Sequence, residues 1–307
     1  MIGVLTGFSI IGSVIALGYV IQRTGLIGDN ALLPLSRLIY FFASPALLFT
    51  VMVSADVGVL FSRGVLVTAM TMAICVAAFV AASRLLFRMP APDTVIGILT
   101  SVQANAGNIG LPVSVYVLGD AQYVAPVMLL QNLVLTPVCL IILDLSTQAT
   151  IDLRTVVLQP VRNPAIIASL SGLVIAVSGV HVPDVLLQPV ELVGDACVPL
   201  FLLTFGMALH GQRFLAPGSG RRQVATVTAV KVLVMPVAAF VLGRYVFGLP
   251  DAVLFPVVVV AALPTAQNVY NFAVRFGKGE SMTISAVMLT TLLSVPILVL
   301  IAGVLHP

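Results

Sequence analysis

The sequence predicts an all-α membrane protein: ten transmembrane helices forming two inverted five-helix repeats, with helices four and nine broken. Three observations carry this. Of the 307 residues, 60% are hydrophobic and 8% charged, with a mean hydropathy of +1.18, whereas soluble domains carry about a quarter charged residues. The apolar runs last about 20 residues and do not alternate, which fits spanning helices and excludes a β-barrel. Two polar, helix-breaking stretches interrupt apolar spans at corresponding points of two halves, the best sequence pointer to a transporter binding site.

The first span covers about 2–21 and ends at Gln22-Arg23-Thr24-Gly25. Its start has no basic segment and no small-residue cleavage site, so it is expected to be retained, not removed as a signal peptide. The second, about 31–53, carries Pro45; the third, about 64–87, closes on Arg88-Met-Pro-Ala-Pro92. The fourth is the interrupted span at about 94–117, and Gly119-Asp120 separates it from the fifth, about 123–145. A polar link follows with Asp152, Arg154 and Arg162. The second half repeats the plan. Span six is about 164–180, followed by His181-Val-Pro-Asp184, and span seven is about 187–209, with Pro199 answering Pro45. A loop with Arg213, Gly218, Gly220, Arg221 and Arg222 leads to span eight, about 223–247. Span nine, about 251–274, is interrupted, and Gly277-Lys-Gly-Glu280 leads to span ten, about 282–305. The expected divisions are a first repeat over 1–148, a cytoplasmic link over 149–163 and a second repeat over 164–307.

The first interruption is Gln103-Ala-Asn-Ala-Gly-Asn-Ile-Gly-Leu-Pro112. Gly107 and Gly110 loosen the helix, and Pro112 removes a backbone donor and clashes with the preceding turn. The second is Pro264-Thr-Ala-Gln-Asn-Val-Tyr-Asn271. Asn268 lies 160 positions after Asn108, and the same offset links Arg84 to Arg244, Phe87 to Phe247 and Pro90 to Pro250. Val127-Met-Leu129 likewise recurs as Val287-Met-Leu289.

Five spans per half is an odd number, so the halves insert with opposite orientation. The links after the odd-numbered spans, with their flanks, carry Arg23, Arg37, Arg84, Arg88, Arg154, Arg162, Arg213, Arg221, Arg222, Arg275 and Lys278. The opposite side carries Arg63 and Arg244, with acids at Asp56, Asp120, Asp184, Glu191 and Asp251. Positive residues mark the cytoplasmic side. Both termini are therefore expected outside, in a multi-pass protein of a bacterial inner membrane.

The two interrupted stretches, the proline-bearing spans two and seven and the five-plus-five plan resemble the auxin efflux carrier family over the whole chain. The short central link is similar to that of bacterial members such as malonate transporters. The resemblance implies a fold in which spans four and nine cross near the bilayer midplane and a panel domain moves against a core domain. It also implies secondary transport of a small organic anion. A sodium-coupled symporter of the bile-acid type is the alternative within similar folds. The second interruption lacks the glycines of the first.

A half-helix starting at the midplane presents unpaired donors and a partial positive charge, which favours a carboxylate. Pro112 and Pro264 fit as first-turn residues of such halves. The substrate-binding set read from these stretches is Asn105, Gly107, Asn108, Gly110, Pro112, Pro264, Gln267, Asn268 and Asn271, with Gln103 as a further amide. For each amide, inter-helix packing is the competing reading. Asp195 and Lys231 are ionisable groups inside spans seven and eight, so a coupling role to proton or sodium is expected. Snorkelling to the cytoplasmic surface competes for Lys231. Thr71 is the repeat counterpart of Lys231.

An enzyme is not expected. His181, His210 and His306 fall at span ends, no His-Glu-x-x-His occurs and the intramembrane acids are few. Cys75, Cys139 and Cys197 lack metal-ligand spacing and read as small core residues. No cofactor is implied beyond the coupling ion. Nucleic acid is excluded as a partner, since Arg221-Arg222 is the longest basic cluster. The expected partners are the organic anion, the lipid bilayer and a second copy in a homodimer. Broken helices also line pores, which leaves a passive channel as the least favoured reading.

Overall fold

The computed structural model describes residues 2–25, 27–28, 30–54, 62–147, 163–180, 182–210 and 220–305. The expected central link, with Asp152, Arg154 and Arg162, lies outside the described residues, as do Asp56, His181, Arg213, Gly218 and His306. Among the described residues all regular structure is helical, apart from a single antiparallel bridge between Ala104 and Thr265.

In chain order the helices are α1 (Ile2–Thr24), α2 (Leu32–Val53), α3 (Arg63–Phe87), α4 (Ala91–Val102), α5 (Leu111–Tyr116) and α6 (Ala121–Thr147). Then come α7 (Pro164–Ser178), α8 (Asp184–Leu209), α9 (Arg221–Val246), α10 (Asp251–Ala261), α11 (Asn268–Phe276) and α12 (Glu280–Leu305). Of these α2, α3, α6, α8, α9 and α12 are long and apolar enough to cross a membrane.

Two turns of π-helix, Ser83–Phe87 and Leu242–Val246, lie at the ends of α3 and α9, and Pro189, Pro256 and Pro296 lie inside helices with no π turn ahead of them. Four further turns of π-helix occupy Ile39–Ala43, Ala106–Gly110, Gln131–Leu135 and Val230–Val234. Each begins six positions before a proline: Pro45, Pro112, Pro137 and Pro236. A proline inside a helix lacks the N–H of one rung, and its ring pushes away the carbonyl four residues back. One wider turn absorbs that displacement without ending the helix. The side chains on the widened turn are re-aimed.

The chain divides into two compact units. The first comprises 1–62, 107–126 and 159–212, and the second 63–106, 127–158 and 213–307. In the first unit α1 packs on the later half of α8 at backbone contact. A Cβ on Gly18 would lie 2.1 Å from the Leu203 carbonyl oxygen, and one on Gly206 2.0 Å from that of Ile15. Gly172 of α7 sits in the same way against the Phe49 carbonyl of α2. Lipid tails are as apolar as leucine, so close backbone approach through small residues supplies the packing that holds such helices together.

In the second unit α3 and α9 end in matching left-handed caps. Arg88 follows α3 at φ 49°, with Met89 N–H donating to the Ser83 carbonyl at 3.1 Å. Gly248 follows α9 at φ 58°, with Leu249 N–H donating to the Gly243 carbonyl at 2.8 Å. Pro90 and Pro250 then cap the starts of α4 and α10.

Candidate functional site

Both interrupted stretches lose helical backbone, but not where the glycines are. α4 stops at Val102, residues 103–105 are non-helical, and the π turn from Ala106 runs directly into α5. Gly107 and Gly110 are thus inside a helical turn, and Pro112 is the second residue of α5, the first-turn position expected for it. The glycine-free second break is the longer one: α10 stops at Ala261 and α11 begins at Asn268. Pro264 accounts for this, because it disfavours helical Leu263 and cannot donate. It also lies four positions ahead of α11, so Pro264 does not occupy the first-turn position expected for it.

The two breaks pair with each other inside the second unit. Asn105 N–H donates to the Pro264 carbonyl at 2.8 Å, and Ala266 N–H to the Gln103 carbonyl at 3.0 Å, flanking the Ala104–Thr265 bridge. The polar groups left over are met by side chains from three other helices. Gln131 of α6 clasps Ala104 on both sides, accepting from its N–H at 3.0 Å and donating to its carbonyl at 3.1 Å. Thr290 of α12 accepts from Thr265 N–H at 3.1 Å, while the Thr265 hydroxyl donates to the Thr100 carbonyl at 2.7 Å. Lys231 of α9 donates to the Val102 carbonyl at 3.2 Å and contacts Met235 Sδ at 3.1 Å. In an apolar medium each such group is costly unless bonded, and non-helical backbone persists only where protein or water surrounds it.

Lys231 therefore does not snorkel. It is 0% exposed, and its amine caps the carboxyl end of α4, the end where a helix dipole favours a cation. Asp195, the other ionisable group singled out, belongs to the first unit and is exposed, at the turn between the Asp184–Asp195 and Cys197–Leu209 segments of α8.

The remaining predicted residues fall as follows. Asn105 is 4% exposed within the paired breaks. Gln267 precedes α11 and is half-buried, while Asn268 and Asn271 are exposed on α11, with Arg275 one turn further along the same face. The opposite face, with Val269 and Ala273, is buried. The first turn of α11 closes partly on itself, Val269 donating to Ala266 and Tyr270 to Gln267 at 3.3 and 3.1 Å, which leaves fewer open donors than expected. Gly107, Asn108, Gly110 and Pro112 belong to the first unit, where Gly107 faces the Phe201 ring.

Gln131, Thr265 and Thr290 are absent from the sequence-derived set. Gln131 and Lys231 both sit on π turns that begin six positions before a proline. The Gln103 side chain is 0% exposed; its Oε1 accepts from Thr136 at 3.5 Å and its Nε2 has no hydrogen-bond partner among the described residues.

A family model described as membrane transport protein matches residues 8–302. The chain belongs to this family, the auxin efflux carrier family. No curated protein matches the chain in sequence. Family membership makes the chain a membrane transporter and a multi-pass membrane protein. For this transporter family member, the paired breaks are a polar, non-helical island surrounded by apolar spans. Its backbone groups at Val102, Ala104 and Thr265 are met by side chains of α9, α6 and α12, and α11 carries Asn268, Asn271 and Arg275 on its exposed face.

Proposed function

We propose that the chain is a secondary active transporter of a small organic anion, a mono- or dicarboxylate such as malonate, working by alternating access. The observation that carries this reading is the pair of breaks at corresponding positions of the two halves, bonded to each other through Asn105–Pro264 and Gln103–Ala266. The six long and four shorter apolar helices fit ten spans, α4 with α5 forming span four and α10 with α11 span nine. The matching end caps at Arg88 and Gly248 support two inverted repeats, with 1–148 and 164–307 as their extents. Under the charge rule the odd-numbered links are cytoplasmic and both termini are outside, in a bacterial inner membrane.

The substrate set is Asn105, Gly107, Asn108, Gly110, Pro112, Pro264, Gln267, Asn268 and Asn271. The exposed amides of Asn268 and Asn271 supply directed hydrogen bonds at the start of a helix that runs through an apolar span. Lys231 contributes a fixed cation at the end of α4, so a separate sodium ion is not obligatory, and Asp195 is the acid available for proton exchange. A symporter of the bile-acid type would instead require sodium. Uptake into proteoliposomes decides among these: saturable malonate counterflow without sodium supports the carrier, and strict sodium dependence supports the symporter. Non-saturable flux would mark a channel. Loss of uptake in Asn268→Leu, with the protein still inserted and monodisperse, supports the site; near wild-type uptake would remove Asn268 from it.

A further inference from the structure

The second unit holds a recess of about 270 Å³ well away from the breaks, where the ends of three links meet. Its polar lining is Arg88, Asp93 and Gln223, and its apolar lining includes Phe87, Met89 and Met282. It lies at the start of α4, whose 12 residues span about 18 Å before the break is reached.

Two features mark it as built. Arg88 holds a left-handed backbone at φ 49°, the one non-glycine residue with positive φ among the described residues. The counterpart 160 positions on, Gly248, adopts the same conformation at φ 58° with no Cβ to strain. The chain thus keeps an arginine where its own second half uses the strain-free residue, and backbone strain of this kind persists where a side chain is needed. The second feature is charge. Arg88 and Asp93 both line the recess, yet neither forms an ion pair among the described residues, where the pair is Arg244–Asp251.

A wall with one cation, one anion, an amide and an apolar floor rejects a simple anion through Asp93 and a simple amine through Arg88. It complements a molecule carrying both charges. The guanidinium takes a carboxylate through two parallel donors, the Asp93 carboxylate takes an ammonium, and the methionines and Phe87 cover an apolar side chain. The volume is below the range of about 300–1,000 Å³ for drug-sized ligands, which limits the ligand to amino-acid size. We propose that this recess is a second ligand site that binds a small amphipathic zwitterion, a free amino acid with an apolar side chain. It stands whether or not the transported substrate is an organic anion.

The chain contains no tryptophan, so Phe87→Trp places a single emitter in the wall. The purified protein is titrated with leucine, with 4-methylpentanoate (the carboxylate alone) and with isoamylamine (the amine alone). Wild-type thermal midpoints with leucine give a readout that leaves the wall unaltered. The expected result is a saturable leucine response, with 4-methylpentanoate and isoamylamine weaker by about tenfold or more. Arg88→Gln and Asp93→Asn should each weaken leucine by about tenfold or more, the loss of one charge-assisted bond. Arg88→Gly, which copies Gly248, should abolish the response while raising the thermal midpoint, so misfolding cannot explain the loss. Absence of both the emission and the midpoint response to leucine overturns the proposal. So do unchanged affinity in the Arg88 and Asp93 variants and 4-methylpentanoate binding as tightly as leucine.

Discussion

Replacing Gln131 by leucine tests whether the breaks are held from outside. In the native structure the Gln131 amide is the partner of Ala104 N–H and one of two partners of the Ala104 carbonyl, the other being Ala106 N–H at 2.8 Å. Leucine has a similar size and neither donates nor accepts. The N–H is then stranded in a buried environment, at a cost of about 1–3 kcal/mol, and the carbonyl keeps one bond and loses another worth about 0.5–1.5 kcal/mol. The expected destabilisation is roughly 1.5–4.5 kcal/mol, measured by equilibrium unfolding of the detergent-purified protein. Asn132→Leu makes the same chemical change one position along and is expected to cost less than about 1 kcal/mol. If Gln131→Leu costs under about 0.5 kcal/mol, or no more than Asn132→Leu, the clasp on Ala104 carries no energy and the reasoning fails.

Gly18→Ala and Gly206→Ala each drive a methyl into a backbone carbonyl, with built Cβ positions 2.1 and 2.0 Å away. Each should cost about 1–3 kcal/mol in thermal or denaturant unfolding, whereas Gly12→Ala, with nothing within 4 Å, should be neutral. Lys231→Met unties the Val102 carbonyl but also removes a buried ammonium, and these offset. Stability should change little while sodium-free uptake falls to background; wild-type uptake in this variant would show that the charge is not needed. Single cysteines at Asp184 and Asp251 in a cysteine-free background should label from outside in intact cells, and one at Lys278 should not. The opposite pattern would reverse the orientation.

The all-helical membrane class and the loss of helix within the Gln103–Pro112 and Pro264–Asn271 stretches were legible in the sequence, because hydropathy and proline act locally. Where the backbone opens within the first stretch was not. Gly107 and Gly110 draw attention to 107–112, yet the backbone opens at 103–105, because Ala104 and Thr265 bond to each other across a separation of more than 150 residues. A glycine permits an open backbone; only a partner makes it the lower-energy state. The same reason hides Gln131 and Thr290, whose roles depend on which helix lies beside the break. Lys231 was visible as an intramembrane charge, but its direction depends on the π turn ahead of Pro236.

The bonding around the breaks also bears on how the protein can move. A broken helix is often imagined as a hinge, and the exposed face of α11 invites that picture. To flex between Val102 and Ala106, the chain would have to release Lys231 from Val102, Gln131 from Ala104 and Asn105 from Pro264. To flex between Ala262 and Gln267, it would have to release Thr265 from Thr290 and Ala266 from Gln103. Each release leaves a buried backbone group without water to replace the partner, at about 1–3 kcal/mol apiece. Several must break together, since the two breaks share bonds. The breaks are therefore a rigid part of the second unit, and the conformational change of a transport cycle must be sought where the backbone is less tied. The two stretches pair as a buried, hydrogen-bonded unit, and α6, α9 and α12 supply the side chains that hold it.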